Sequence, residues 1–136
     1  MNGKTDNDSL SYRLYILVAR RLRFVVGALG MIELAPGCYV YTGSARRRPL
    51  ARLRRHLSRD KRLRWHIDYL LVQPGVQIVD LTLHREAECA VNRATGGEVP
   101  VPGFGASDCR AGCGSHLRRL SKHRIPFPEC RNIIEK

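Results

Sequence analysis

The chain has 136 residues, of which 43% are hydrophobic and 26% are charged. This length predicts one domain with a core of its own, and these fractions exclude a disordered, collagen-like or coiled-coil chain. No apolar run approaches the roughly 18 residues that a membrane span needs, so no membrane contact is expected. The 24 basic residues against 12 acidic ones give a net charge of +12, which favours a polyanionic partner, above all nucleic acid.

The cysteine count and the start of the chain predict the compartment. Five cysteines are an odd number, and residues 1–9 are polar without the apolar stretch of a signal peptide. Both observations favour a reducing environment over a disulfide scaffold, so a cytoplasmic protein is predicted. Because residues 1–9 have no apolar periodicity, they are expected to be disordered, which leaves residues 10–136 as one domain.

Three or four short strands are predicted in the first third of the chain. Apolar runs mark them over residues 12–18, 24–26, 31–34 and 38–42. In the last run Tyr39 and Tyr41 alternate with Val40, which is the period of a strand with two distinct faces. Tight turns between these runs predict a small antiparallel sheet.

The period then changes to that of a helix. Pro49 begins a predicted helix over residues 49–59, which places its leucines on one side and its arginines on the other. The remaining elements are predicted to be helix, strand, helix, loop and short helix over residues 62–71, 76–83, 86–94, 98–115 and 117–122. The fold class is therefore α+β, with a small central antiparallel sheet flanked by helices.

The densest feature is a basic cluster between residues 46 and 64. It contains ten Lys or Arg residues, and Asp60 is its only acid. A solvated helix face usually mixes charges of both signs at helical spacing, and this one does not, which favours contact with phosphates over a merely solvated face. The predicted nucleic-acid contacts are Arg46, Arg47, Arg48, Arg55, Arg59, Arg62 and Arg64. Codon bias explains arginine over lysine but not the excess of base over acid.

An ordered set of segments resembles a known family. They are Gly37–Ala45, Arg52–Leu57, Trp65–Leu71, Glu88-Cys89 and Val101–Cys109. This succession, within residues 12–117, is similar to the GIY-YIG-like nuclease family known as domain of unknown function 123. The resemblance implies the GIY-YIG fold, a small antiparallel sheet flanked by helices, and the activity of metal-dependent DNA endonucleases.

The same resemblance implies a set of site residues. The second motif of the superfamily falls on Tyr41-Thr42-Gly43, and its first tyrosine on Tyr12. The catalytic arginine falls on Arg52, one helical turn before His56, and the metal-binding glutamate falls on Glu88. The first motif here has neither Gly nor Ile, and Glu86 is the alternative to Glu88.

These residue types suit phosphodiester hydrolysis. One Mg²⁺ or Mn²⁺ ion held by a carboxylate neutralises phosphate charge, and Arg52 clamps the nonbridging oxygens. A phenol is a poor base near neutral pH unless neighbouring arginines lower its pKa, a condition that Tyr12 or Tyr41 beside Arg52 is expected to meet. His56 is expected to accept a proton or to bind phosphate. The alternative is that both tyrosines are ordinary strand residues. No small-molecule cofactor is expected.

A late glycine-rich loop offers soft metal ligands. Cys109, Cys113 and His116 lie close in sequence, and Cys89 is available as a fourth zinc ligand. The alternative is that these cysteines act as small buried hydrophobes. In the same loop Phe104 is expected either to stack on a base or to fill the core.

The sequence therefore predicts a metal-dependent endonuclease that acts on nucleic acid, with DNA favoured over RNA. The alternative from another class is a non-catalytic nucleic-acid-binding module on the same fold. A third alternative is a small zinc-stabilised RNA-binding or ribosome-associated protein.

Overall fold

The computed structural model describes residues 11–44, 56, 65–106 and 112–121. Its strands are β1 Ser11–Val18, β2 Leu22–Val26, β3 Gly30–Leu34, β4 Gly37–Ser44, β5 Val76–His84 and β6 Leu117–Arg119. Its helices are α1 His66–Leu71 and α2 Glu88–Thr95, and a 3-10 turn covers Gly27–Leu29. His56 is helical as well. This is an α+β fold, as the sequence predicts.

The main sheet has four antiparallel strands in the order β5-β1-β4-β6. β1 is a central strand and pairs with β4 along its full length, with Tyr12 opposite Gly43 and Leu14 opposite Tyr41. On its other side β1 pairs with β5, where the register shifts between Tyr15 and Ile16. The two tyrosines of the predicted motifs therefore lie on adjacent strands.

Strands β2 and β3 form a separate two-stranded hairpin. The sequence predicts one small sheet for the first four strands, and the structure corrects this. β1 already has β4 on one side and β5 on the other, so no edge of it remains for the hairpin. The inward residues Phe24, Val26 and Ile32 join the same buried cluster as α1 instead.

The main sheet carries apolar side chains on both of its faces. Along β1 the even-numbered residues Tyr12, Leu14 and Ile16 join the larger cluster with α1, whereas Leu17 joins a smaller cluster. Along β4 Tyr39 and Tyr41 belong to the larger cluster and Val40 to the smaller one, which confirms the predicted alternation. Sheet residues are thus buried on both faces.

Several predicted elements are confirmed, and the bounds of both helices are corrected. The strand over 76–83 and the loop after α2 are present, and Ile67, Leu70 and Leu71 form the buried stripe of α1 as predicted. Both helices begin later than predicted. For α1 the reason is that Trp65 is extended and its N–H donates to Asp68 Oδ2 at 2.8 Å, which caps the helix at His66.

The predicted short helix over 117–122 is wrong. Leu117–Arg119 is the strand β6, which pairs with the edge of β4 from Tyr41 to Tyr39. Pairing with the open edge of β4 satisfies the backbone N–H and C=O groups of this segment. That gain outweighs the weak helix propensity of three residues. Within the described ranges neither helix has the length and apolar character needed to cross a membrane.

Some predictions lie outside the described residues. They are the disordered start over residues 1–9, the predicted helix over 49–59 apart from His56, and residues 62–64 of the helix predicted over 62–71.

Candidate functional site

Three residues from separate parts of the chain meet in the larger cluster. Tyr12 Oη and His56 Nε2 share a hydrogen bond of 2.6 Å across 44 positions of sequence. The ring of Tyr41 lies 6.3 Å from the ring of Tyr12 and 6.3 Å from that of His56, measured between centroids. The ring of Trp65 also lies near His56, with 5.9 Å between the two ring centroids. The structure thus brings together Tyr12, Tyr41 and His56, which the sequence predicts as site residues.

Gly43 makes room for the Tyr12 ring. Gly43 is the cross-strand partner of Tyr12, and a Cβ built on it would overlap Cζ and Oη of Tyr12. The phenol therefore lies over the backbone of β4, in the space that any other side chain would fill. The sequence places Gly43 in a motif but gives it no role, and the structure supplies the steric reason for a glycine there.

Gly105 has a similar relation to Tyr41. Its φ of +67° favours glycine, and a Cβ there would lie 2.9 Å from Tyr41 Cε1 and 3.4 Å from His116 Cβ. Its N–H donates to His66 Nδ1 at 2.9 Å, which holds this loop against α1. Sequence reasoning missed Gly105, because only the tertiary structure places the loop beside β4.

Glu88 and His116 form a second pair. Glu88 opens α2, and its Oε2 lies 3.0 Å from His116 Nδ1. His116 is 2% exposed and the Glu88 side chain 32% exposed. Glu86, the alternative metal ligand, has an exposed side chain, and its backbone oxygen accepts from Ser11 Oγ at 2.7 Å. Of the two glutamates, Glu88 is therefore the one with a partly buried carboxylate in contact with another predicted site residue.

Two thiols complete this second group. One ligand atom each of Cys89, Cys113 and His116 lies within 4.8 Å of the others. Cys89 follows Glu88 on α2, whereas Cys113 and His116 belong to the segment before β6. Three of the four predicted zinc ligands thus lie together. The fourth, Cys109, is outside the described residues.

Burial shifts the pKa of two other residues. Burial lowers the pKa of His66, which favours the neutral ring that accepts from Gly105. Burial also raises the pKa of Tyr39 to about 12, and its hydroxyl donates to the backbone oxygen of Ala35 at 2.6 Å. Tyr39 is therefore a neutral tyrosine with a structural hydrogen bond.

The arginine predictions lie outside the described part of the chain. This applies to Arg52 and to the predicted nucleic-acid contacts Arg46, Arg47, Arg48, Arg55, Arg59, Arg62 and Arg64. Phe104, in contrast, is described and is fully buried, with its ring 5.6 Å from His66. It fills the core, which decides against the stacking alternative.

The comparisons with known proteins give one match. No curated protein and no solved structure matches the chain significantly. The family model described as "Domain of unknown function DUF123" matches residues 11–136, which includes every strand and helix described above. The chain therefore belongs to the DUF123 family.

Proposed function

We propose that the protein is a DNA endonuclease of the GIY-YIG superfamily, with its reacting groups at Tyr12, Tyr41 and His56. The observation that carries the proposal is the 2.6 Å hydrogen bond between Tyr12 Oη and His56 Nε2. Two residues that the motif resemblance nominates independently are in direct contact, although 44 positions separate them. Further support comes from the antiparallel pairing of β1 with β4, which places the Tyr41 ring beside both.

A phenol and an imidazole in contact form a proton relay. The attacking water gives a proton to Tyr12 Oη while the phenol proton moves to His56 Nε2, so the pair gains one proton. The resulting hydroxide attacks phosphorus, and the bond from phosphorus to one ester oxygen breaks. The leaving oxygen takes the proton back from the imidazolium. The products are a phosphate monoester and an alcohol, and the relay returns to its starting state.

Charge supports nucleic acid as the substrate. The net charge is +12, and His56 lies within the sequence of the basic cluster. Such a cluster binds phosphates through counterion release, independent of base sequence. These arginines flank His56 in the sequence, so a strand bound by them is expected near the residue that accepts the proton.

The divalent ion implied by the resemblance has one predicted ligand, Glu88. A carboxylate suits Mg²⁺, but Oε2 of Glu88 contacts His116, and the groups beside that pair are thiols. Mg²⁺ prefers oxygen ligands, whereas thiolate and imidazole suit zinc. The donor set beside Glu88 fits zinc better than magnesium, so the relay above uses only this chain's own groups.

One observation favours a second candidate function, a non-catalytic nucleic-acid-binding module. Tyr12 and His56 are each 2% exposed, and Tyr41 is 8% exposed. A hydrogen-bonded pair this deeply buried also serves to fix the fold, because a buried phenol needs a partner. The two functions differ in whether the Tyr12 hydroxyl affects cleavage.

The test is cleavage of labelled duplex, single-stranded, nicked and branched DNA, and of RNA, with Mg²⁺ or Mn²⁺. Tyr12→Phe removes the hydroxyl and little volume. The cleavage rate is expected to fall by about 10² or more, the scale of lost general acid–base catalysis, with DNA affinity retained.

Tyr15→Phe is the matched control. Tyr15 lies on the same strand and packs with the smaller cluster on the other face. The cleavage rate of Tyr15→Phe is expected to match that of the parent protein. If the parent binds DNA and cleaves no substrate with either ion, the non-catalytic module is correct. If Tyr12→Phe cleaves at the parent rate, the relay is wrong.

A further inference from the structure

We propose that Cys89, Cys113 and His116 bind a zinc ion, with Glu88 holding the His116 ring in place. The proposal does not depend on nuclease activity. The three candidate ligands come from two elements, since Cys89 lies on α2 and the other two lie in the segment that leads into β6. A bound ion would therefore join α2 to the edge strand of the sheet.

The spacing of the ligand atoms suits a tetrahedral ion. One atom from each residue lies within 4.8 Å of the others. With Zn–S bonds of about 2.3 Å, two thiolates of a tetrahedral site are about 3.8 Å apart. The three atoms thus lie within roughly 1 Å of the separations that a tetrahedral zinc site needs.

The Glu88 contact selects the ring nitrogen that binds. The carboxylate lies 3.0 Å from His116 Nδ1, so this nitrogen carries a proton and donates to Glu88. The lone pair is then on Nε2. Metal-binding histidines commonly donate their other ring N–H to a carboxylate, which fixes the tautomer and makes the ligand more basic. Glu88 therefore supports the use of His116 as a ligand.

Glycine conformations and backbone hydrogen bonds shape the segment that carries Cys113 and His116. Gly112 and Gly114 have φ of +75° and +79°, so the chain bends on both sides of Cys113. The N–H of Gly103 donates to the Gly114 oxygen at 2.6 Å, and that of His116 to the Phe104 oxygen at 2.8 Å.

Asn92 extends this support from α2. Its Nδ2 donates to the backbone oxygen of Ser115 at 2.8 Å, and both residues are fully buried. The same helix that carries Cys89 is thereby tied to the segment that carries Cys113 and His116. These hydrogen bonds join the two segments through backbone atoms and Asn92 rather than through the candidate ligands, which lowers the ordering entropy that binding costs.

The ligand chemistry selects zinc. Two thiolates and one imidazole form a soft set, and zinc takes such sets in tetrahedral geometry. Oxygen-preferring ions such as Mg²⁺ and Ca²⁺ gain little from sulfur. The strongest competing state for two adjacent thiols is a disulfide, which would exclude the ion.

The test measures zinc in the full-length protein, purified with reductant and reconstituted with zinc. One equivalent is expected to remain after gel filtration. Replacement with Co²⁺ is expected to give the near-ultraviolet thiolate-to-cobalt absorption and the strong visible bands of a tetrahedral site. Cys113→Ser and Cys89→Ser are each expected to weaken that thiolate absorption and to bind zinc less tightly.

Cys38→Ala is the matched control. Cys38 is fully buried in the smaller cluster on β4, away from the candidate ligands, and its loss is expected to leave one zinc equivalent. Retention of zinc in both serine variants would overturn the proposal. Absence of thiolate absorption in the reduced parent protein would also overturn it, as would a Cys89–Cys113 disulfide that persists under the reducing conditions.

Discussion

Two histidines, His56 and His116, show how a partner determines what a buried imidazole is suited to do. Each is 2% exposed and each has a hydrogen bond to a residue distant in sequence. The partner of His56 is the phenol of Tyr12, which has a proton to give. The partner of His116 is the carboxylate of Glu88, which accepts a proton and keeps the ring in one tautomer. The first pair suits proton transfer, and the second suits metal binding.

The two pairs are also neighbours. Gly105 lies against the Tyr41 ring and against His116 Cβ, so the same loop contacts both regions. Substitutions that separate the two roles are the sharpest way to test the comparison.

The largest effect is expected from the same substitution at each histidine. His56→Gln is expected to reduce cleavage by about 10² or more and to keep one zinc equivalent, because it removes the proton acceptor alone. His116→Gln is expected to lose zinc binding. Cleavage rate and zinc content are measured on both variants. If both variants lose the same property, the division of roles is wrong.

The next prediction concerns DNA binding by the basic cluster between residues 46 and 64. Duplex binding by the parent protein is expected to have a log–log salt slope of roughly −4 to −6, from about five to seven phosphate contacts. The triple substitution of Arg52, Arg55 and Arg59 by Gln should move the slope toward zero by about 2.7, since each contact contributes about 0.9. Fluorescence anisotropy of a labelled duplex at several salt concentrations measures the slope.

Two arginines of the hairpin serve as the control for that measurement. Arg21 and Arg23 are exposed and lie 3.8 and 3.6 Å from Glu33 oxygens. Their substitution by Gln also removes positive charge, but from ion pairs in another sheet. The salt slope is expected to stay unchanged. An equal shift in both variants would mean that general charge, and not the cluster, binds DNA.

Glu88→Gln separates two roles of one residue. As the partner of His116, Glu88 is expected to raise zinc affinity by about 10–100-fold, so the variant should bind zinc that much more weakly. As a magnesium ligand it would instead be needed for cleavage, and DNA binding would stay intact or tighten slightly. Competition with a zinc indicator dye and the cleavage assay measure the two. Loss of cleavage with unchanged zinc affinity would favour the magnesium role.

Gly43→Ala tests the geometry of the first pair. The new Cβ would overlap the Tyr12 ring, so we expect a loss of about 1–3 kcal/mol in the free energy of unfolding, and slower cleavage as Tyr12 leaves His56. Urea denaturation measures the loss. In the double variant with Tyr12→Ala the overlap is absent, and the two costs should be less than additive. Full additivity would contradict the overlap.

The smallest expected effect concerns His66. Burial lowers its pKa in the folded state, so its contribution to stability is complete above the unfolded pKa of about 6.5 and is lost as pH falls through the lower, folded pKa. Protonation would also break the bond from the Gly105 N–H. The melting temperature of the parent protein is expected to decline below pH 6.5 more steeply than that of His66→Gln. Parallel curves would exclude this contribution.

The sequence by itself determined the strands, because alternation and apolar runs depend on neighbours along the chain. Residues 12–18, 38–42 and 76–83 follow this pattern, and the structure extends each by only one to three residues. The sequence also nominated Tyr12, Tyr41 and His56 together, through motif order. Their grouping in the structure agrees with that choice.

The tertiary structure alone decided the strand at 117–119, the separate hairpin and the partners of the two histidines. β6 exists because β4 has an open edge, and the hairpin is separate because β1 has none. Glu88 meets His116 because α2 and the β6 segment lie side by side, 28 positions apart in sequence. Local patterns carry information about neighbours along the chain, whereas these outcomes depend on which surfaces remain unpaired after the sheet forms.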